Sequence, residues 1–292
     1  MKPLYAILVA LMLLVPASYA QVLPDPDPQA VAQLDQVQHL QSSTFAVYSI
    51  RGTIVGSGFV IFNNGKVAIG VTAAHVVDDL VSKTKNGEVW LPCLVGRVDK
   101  EFVKGRSPAR VIRFDDDKDI AIMLIGDPSK FPHALQFHPD KPKLGMEVWH
   151  CGNPRGLLWG SVSKGHISFY NRGINTEGKV KVFDQFTAPA VSGCSGGPVV
   201  RLGKKGPQVI GMMTRYIRSP TTKTDPNGHV HQSAHSTMSL MVPTRIVRKY
   251  VEENGLKWAI TGKDAPSFEE VDKLQPSDKA RFVPVIIQRM FR

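Results

Sequence analysis

Cysteine is scarce in this chain: Cys93, Cys151 and Cys194 are all that 292 residues contain. Three is an odd number and no disulfide framework, so a hydrophobic core must hold the fold together. One bridge with one free thiol, and three free thiols, both stay open. Metal-ligand spacing is absent too, and the nine histidines add no H-E-x-x-H or related pattern. His229, His231 and His235 crowd together, but in a polar stretch with Gly and Pro that reads as a solvated loop. No metal site is expected. There is no internal repeat or long low-complexity tract, and the apolar run from Leu4 to Val15 is too short to span a bilayer comfortably. Acidic residues are the minority, 25 against 36 Lys and Arg, for a formal net charge of +11. Such a surplus attracts anionic surfaces, acidic proteins or nucleic acid. The basic residues are scattered, with no motif that interleaves aromatics, so they read as a solvated surface and no nucleic-acid partner is expected.

Turns are abundant. Gly 25 and Pro 21, with 42% hydrophobic and 21% charged residues, describe a globular chain of one large or two small domains, all-β before helical. Met1-Lys2, the apolar run, Pro16 and the small residues of Ser18-Tyr19-Ala20 have the form of a secretory signal. Cleavage after Ala20 is expected, giving an exported protein; an uncleaved membrane anchor is the alternative. Residues 21–43 then read as a linker or N-terminal extension, Pro/Asp-rich at first, with a short helix over Val31–Gln41. Short β-branched and apolar runs follow at Phe45–Ile50, Gly58–Phe62, Val67–Thr72, Val89–Leu94, Ala109–Phe114 and Ile120–Ile125, with Asn63-Asn64-Gly65 as a hairpin turn. A second series occupies Glu147–Cys151, Ser161–Phe169, Val180–Ala188, Pro198–Leu202, Val209–Thr214 and Ser236–Val242. The two groups fall within 44–130 and 131–254. Thr244–Asn254 reads as a helix with Thr244 as N-cap and Asn254-Gly255 as stop. Residues 255–292 read as a basic tail with a strand-like piece at Phe282–Ile287.

The stretch Ser192-Gly193-Cys194-Ser195-Gly196-Gly197-Pro198 lies between apolar runs, a strand–turn–strand arrangement that lifts one small side chain to a crest. A glycine at 193 lets backbone approach a substrate carbonyl. The amides of Gly193 and Ser195, with Cys194 between them, are positioned to form an oxyanion hole, and Ser195 is the candidate nucleophile. A serine hydroxyl needs a base, and the base needs an orienting carboxylate. His75, flanked by small residues at the end of an apolar strand, is the candidate base. Asp119, leading straight into Ile120-Ala121-Ile122, is the candidate carboxylate, because an acid touching a buried strand needs a hydrogen-bond partner. Asp115, Asp116 and Asp117 read as a solvated turn.

T-A-A-H, then D-I-A-I, then G-C-S-G-G-P is the order of the chymotrypsin-like serine proteases. The chain resembles that superfamily, and most closely the protease domain of the high-temperature-requirement type. Gly56-Ser57-Gly58-Phe59-Val60-Ile61, Gly152-Asn153-Pro154-Arg155-Gly156-Leu157, Val209-Ile210-Gly211-Met212-Met213-Thr214 and Leu240-Met241-Val242-Pro243 carry the likeness, over roughly residues 44–254. It implies an all-β fold of two Greek-key six-stranded β-barrels with a C-terminal helix. It also implies a serine endopeptidase acting on protein or peptide substrates, with no organic cofactor. The same resemblance implies a specificity pocket walled by Pro189–Ser192, Met213–Tyr216 and Ser239–Met241, with Pro189, Ser192, Met213, Thr214, Arg215 and Met241 as the substrate-binding residues. No carboxylate lies in those stretches, so a preference for Lys or Arg is not expected. The two methionines suggest an adaptable apolar pocket for small or medium apolar residues, and Arg215 instead an acidic one.

Three departures qualify the resemblance. The residues after Asn254 are too few for the peptide-binding PDZ module that such proteases often carry. Pancreatic-type relatives have, before the serine, an aspartate that pairs with a newly cut N-terminus; Cys194 cannot do so, and no such zymogen switch is expected. Viral relatives use a cysteine nucleophile followed directly by glycine, whereas here Ser195 follows Cys194. Two alternatives accompany the main reading: a viral polyprotein-processing protease of the same fold, and a catalytically silent module that binds peptides or polyanions.

Overall fold

The computed structural model describes residues 28–84, 87–97, 105–176, 178–224, 227, 230–276 and 280–282. The expected signal peptide, residues 21–27 of the expected linker, residues 283–287 of the strand-like piece, His229 and the side chains of His231 and His235 lie outside the described residues. The chain separates into units Met1–Asp35 and Gln36–Arg292. Helix α1 spans Pro28–Ser42, longer than the expected Val31–Gln41, and takes in the end of the expected linker. Pro28 opens it at a position where a missing N–H breaks no intrahelical bond.

Beyond α1 the second unit begins as strands: β1 (Thr44–Tyr48), β2 (Ile54–Asn63), β3 (Ala68–Thr72), β4 (Val81–Thr84), β5 (Gly87–Trp90), β6 (Cys93–Arg97), β7 (Arg106–Asp115) and β8 (Ile120–Ile125). Six of them close a barrel in the order β1-β2-β3-β8-β7-β6, and β4 pairs with β5 outside it. Every residue of β1, β3 and β8 is buried, so these strands read as continuous apolar runs and not as alternating ones. The expected strand Val89–Leu94 is in fact split between β5 and β6 at Leu91-Pro92, because Pro92 has no N–H for a ladder. Inside the barrel the Phe45 ring fills the space above two glycines. A Cβ at Gly58 would lie 2.2 Å from that ring, and one at Gly70 2.7 Å.

The second group is β9 (Gln136–Phe137), β10 (Glu147–Gly152), β11 (Ser161–Thr176), β12 (Lys179–Phe186), β13 (Pro198–Gly203), β14 (Gly206–Thr224) and β15 (Val230–Pro243). They pair in the order β13-β10-β11-β12-β15-β14, and β14 pairs back onto β13 to close a ring of six. β9 adds to β14 in parallel. The all-β expectation of two six-stranded barrels stands. One large core cluster runs through the first barrel into Val200, Val209, Met212 and Val242 of the second. A smaller cluster around Val148, Ile167, Phe186 and Ile210 lies beneath the 192–198 turn.

Helix α2 (Thr244–Glu253) follows β15. Its N-cap is Pro243; Thr244, expected to cap, is the first helical residue, and its hydroxyl donates instead to the Val209 carbonyl at 3.1 Å. The expected basic tail is not loose as far as it is described. Helices α3 (Lys257–Thr261) and α4 (Phe268–Asp272) bury Leu256, Ala259 and Val271 in the large cluster. Trp258 meets Phe62 edge-on at 5.1 Å, and Arg110 Nε donates to Asp272 at 2.6 Å. β16 (Ala280–Phe282) pairs with β5.

Gly58→Ala is expected to destabilise the fold by about 2 kcal/mol or more, since the new methyl overlaps a fully buried Phe45 with no room to retreat. Urea unfolding of the two proteins measures it; an unchanged midpoint would contradict the packing described.

Candidate active site

His75 sits in a single 3₁₀ turn, Ala74–Val76, directly after β3. Ala73 and Ala74 are fully buried, and their small side chains let the turn fold against the barrel while His75 faces out. Asp119 ends the acidic turn before β8 in a left-handed conformation, φ 56°, one that Asp tolerates better than most residues. It is only 4% exposed. Its carboxylate receives His75 Nδ1 at 2.9 and 3.0 Å, the His75 backbone N–H at 3.1 Å, and the Thr214 hydroxyl on Oδ2. Burial pushes the Asp119 pKa up. The hydrogen bond and charge of His75, the Thr214 hydroxyl and the His75 amide outweigh it, and the carboxyl is held below its ordinary value. An Nδ1–H directed at Asp119 leaves His75 Nε2 as a proton acceptor facing the cleft.

Thr214 reaches Asp119 because of a β-bulge. Met213 pairs with Met241 and Arg215 with Leu240, so Thr214 is an extra residue in β14. A bulge breaks the two-residue alternation and re-aims a side chain. Thr214 is buried with its hydroxyl on Asp119, while its carbonyl accepts the Ser195 hydroxyl at 3.1 Å. Ser195 therefore donates to Thr214 and not to His75. His75, Ser195 and Thr214 nevertheless line one cleft of about 370 Å³ with Ser192, Arg215 and Tyr216.

The turn beneath Ser195 is shaped by Gly193 and Gly196, both at positive φ. A Cβ at Gly193 would stand 2.2 Å from the Asn153 carbonyl, so no other residue fits without displacing that loop. The amide of Cys194 donates to Val191 O at 3.0 Å, and that of Gly196 to Met213 O at 2.7 Å. Among the described residues, the amides of Gly193 and Ser195 have no acceptor. Cys194, expected in the oxyanion hole, is thus corrected to a structural role: its N–H closes the turn, and burial raises the pKa of its thiol. All three cysteines are free and buried.

Sequence reasoning missed the residue that ties this turn down. Ser57 on β2 donates its hydroxyl to Gly193 O at 2.7 Å and its amide to Ser195 O at 2.8 Å. The same hydroxyl accepts from Asn153 N and Nδ2 at 3.0 and 2.9 Å. Of the expected pocket residues, Ser192, Thr214, Arg215 and Tyr216 line the cleft. Met213 and Met241 do not: both are fully buried in the smaller core cluster, which overturns the apolar pocket drawn from them. Pro189 is exposed outside the cleft lining, its carbonyl accepting from Ser163. Among the described residues no three His, Cys, Asp or Glu side chains gather as a metal would need.

A family profile described as "Trypsin-like peptidase domain" matches residues 56–212. A protein of Rickettsia conorii named as a probable periplasmic serine endoprotease, DegP-like, is 31% identical over 166 residues, 55% of this chain and 28% of its own. The periplasmic pH-dependent serine endoprotease DegQ of Escherichia coli is 34% identical over 110 residues, 37% of this chain and 23% of its own. The chain thus spans less than a third of the length of these curated relatives. A serine endoprotease of Yersinia pestis has a similar fold, with a TM-score of 0.53 at 21% identity, over 78% of this chain and 66% of that one.

His150 of β10 lies directly under the glycine turn. A Cβ at Gly197 would be 2.8 Å from its ring. Its Nδ1 bonds Pro198 O at 3.1 Å, its Nε2 is buried with no partner, and burial lowers its pKa to about 4. The unfolded chain takes up this proton near pH 6.5 and the folded one only near 4, so stability is full above 6.5 and falls as pH drops between them. The expected loss is about 3 kcal/mol across that window. Urea unfolding at several pH values, compared with His150→Phe, measures it; equal pH slopes in the two proteins would contradict the assignment.

Proposed function

This chain belongs to the trypsin-like peptidase family, and from that premise we propose that it is an exported serine endopeptidase with Ser195 as nucleophile, His75 as general base and Asp119 as orienting carboxylate. The pairing of His75 Nδ1 with the buried Asp119, across one cleft from Ser195, carries the reading. Ser195 Oγ leaves the Thr214 carbonyl, attacks a peptide carbonyl and gives its proton to His75 Nε2. Asp119 stabilises the imidazolium that forms, and the amides of Gly193 and Ser195 receive the oxyanion. His75 then protonates the leaving amine as the C–N bond breaks. Water, activated by the same histidine, hydrolyses the acyl-enzyme and restores Ser195.

Thr214 is a positioning residue in this scheme: its hydroxyl fixes Asp119, and its carbonyl parks the serine before substrate arrives. Periplasmic relatives support export, and among the described residues no helix is long and apolar enough to cross a membrane. Those relatives are bacterial proteases, which does not favour the polyprotein-processing alternative.

A serine-directed phosphonate should label the wild type and Cys194→Ala but not Ser195→Ala; absence of label from the wild type would count for a silent binding module instead. Ser195→Ala is expected to lower kcat/KM by about 10⁴-fold or more. Thr214→Val should lower kcat about tenfold to a hundredfold at nearly constant KM, with Thr214→Ser restoring it, because only the hydroxyl on Asp119 is exchanged. A Ser variant as slow as Val would remove Thr214 from the scheme.

A further inference from the structure

We propose that the cleft selects acidic protein segments and that Arg215 is the residue that reads the acid. This rests on the endopeptidase reading above and names its substrate class. Besides His75, Ser195 and Thr214, the cleft is lined by Ser192, Arg215 and Tyr216, with no carboxylate among the lining residues. The methionines that would have made it apolar lie in the core behind it. The Arg215 side chain is exposed and, among the described residues, has no hydrogen-bond or ion-pair partner.

Arg245 is spent on Asp184, Arg248 on Glu252, Lys164 on Glu147 and Lys249 on Glu253. The local acids are thereby committed elsewhere. Residues 131–254, which include the second barrel, hold sixteen Lys and Arg against seven Asp and Glu, nine of the chain's eleven excess positive charges. A second exposed cation, Arg155, adjoins the serine turn, its amide on Ser192 O at 2.7 Å, and it too has no side-chain partner among the described residues. A cleft set in a field of one sign concentrates ligands of the other and repels like charge.

Substrate whose acyl group reaches Ser195 along Thr214–Tyr216 passes Arg215 before the scissile bond. An Asp or Glu there accepts a charge-assisted hydrogen bond from the guanidinium, and the bound chain shields the pair from water. A Lys or Arg meets an unpaired like charge. An exposed pair alone is worth little, so the preference expected is about fivefold to tenfold over an uncharged residue, not thousands.

The test uses the full chain and peptides identical except for Glu, Gln or Lys at each acyl-side position in turn. At one of them the wild type should show kcat/KM in the order Glu, Gln, Lys, with the spread narrowing from about 0.05 to 0.5 M salt as charges are screened. Arg215→Glu should invert the order, and Arg215→Gln should abolish discrimination between Glu and Gln; phosphonate labelling of both variants reports an assembled site. Equal rates for all three peptides in the wild type, or an order unchanged in both variants, would overturn the proposal. Should no peptide be cleaved, the endopeptidase reading fails separately. Fluorescence anisotropy of the same peptides on Ser195→Ala then decides: tighter binding of the Glu peptide, lost on adding Arg215→Gln, supports the acid site, and equal binding refutes it.

Discussion

A carboxylate buried as deeply as Asp119 must collect donors or lose its charge, and its donors come from both barrels. His75 is delivered by the turn after β3 in the first barrel, Thr214 by β14 in the second. Neither barrel alone can satisfy the group. The ion therefore fixes how the two halves meet at the cleft, and the same contacts set the tilt of the imidazole. In the proposed mechanism stability and chemistry share one set of hydrogen bonds, so a change that loosens Asp119 acts on both.

Ser57 makes the complementary tie. A single hydroxyl on β2 donates to the Gly193 carbonyl and accepts from Asn153, so the serine turn and the 153–160 loop hang from the same first-barrel atom. The Ser192 and Cys194 carbonyls, each in the same planar peptide as the Gly193 or Ser195 amide, are held in turn by Arg155 N at 2.7 Å and Gly197 N at 3.0 Å, so the two amides have little freedom of direction. Preorganised donors of this kind favour a developing oxyanion because they need not turn to meet it. His150 below fills the floor without offering a charge at neutral pH, which keeps the underside of the turn apolar while its one bond to Pro198 anchors the strand.

Much of this was legible in the residues. His75 stood out for its small neighbours after an apolar strand, Asp119 for leading straight into one, and Ser195 for its glycine turn between two, and the structure brings all three to one region. β8 matched its apolar run to the residue, since a strand buried on both faces leaves a run with clear ends. What the sequence hid was of two physical kinds. Helices α3 and α4 are five residues each, too short for a period to register, so residues that bury Leu256 and Val271 looked like a basic tail. Ser57 and Asn153 act through hydrogen bonds between residues nearly a hundred positions apart, and no local pattern reports those.

The methionine error has a more specific cause, the bulge at Thr214. In a regular strand Met213 and Arg215 would share one face and Thr214 the other. The extra residue cancels that alternation: Met213 is buried in the core, while Thr214 and Arg215 both reach the cleft, Thr214 with its hydroxyl on Asp119. One irregularity thus does three things at once. It brings a hydroxyl to Asp119, offers a carbonyl to the resting Ser195, and replaces a thioether with a guanidinium on the cleft wall. The charge of the wall and the support of the carboxylate are consequences of the same backbone step. A strand made regular there would lose both together, and under the function proposed this coupling ties the cleft's specificity to its catalytic geometry.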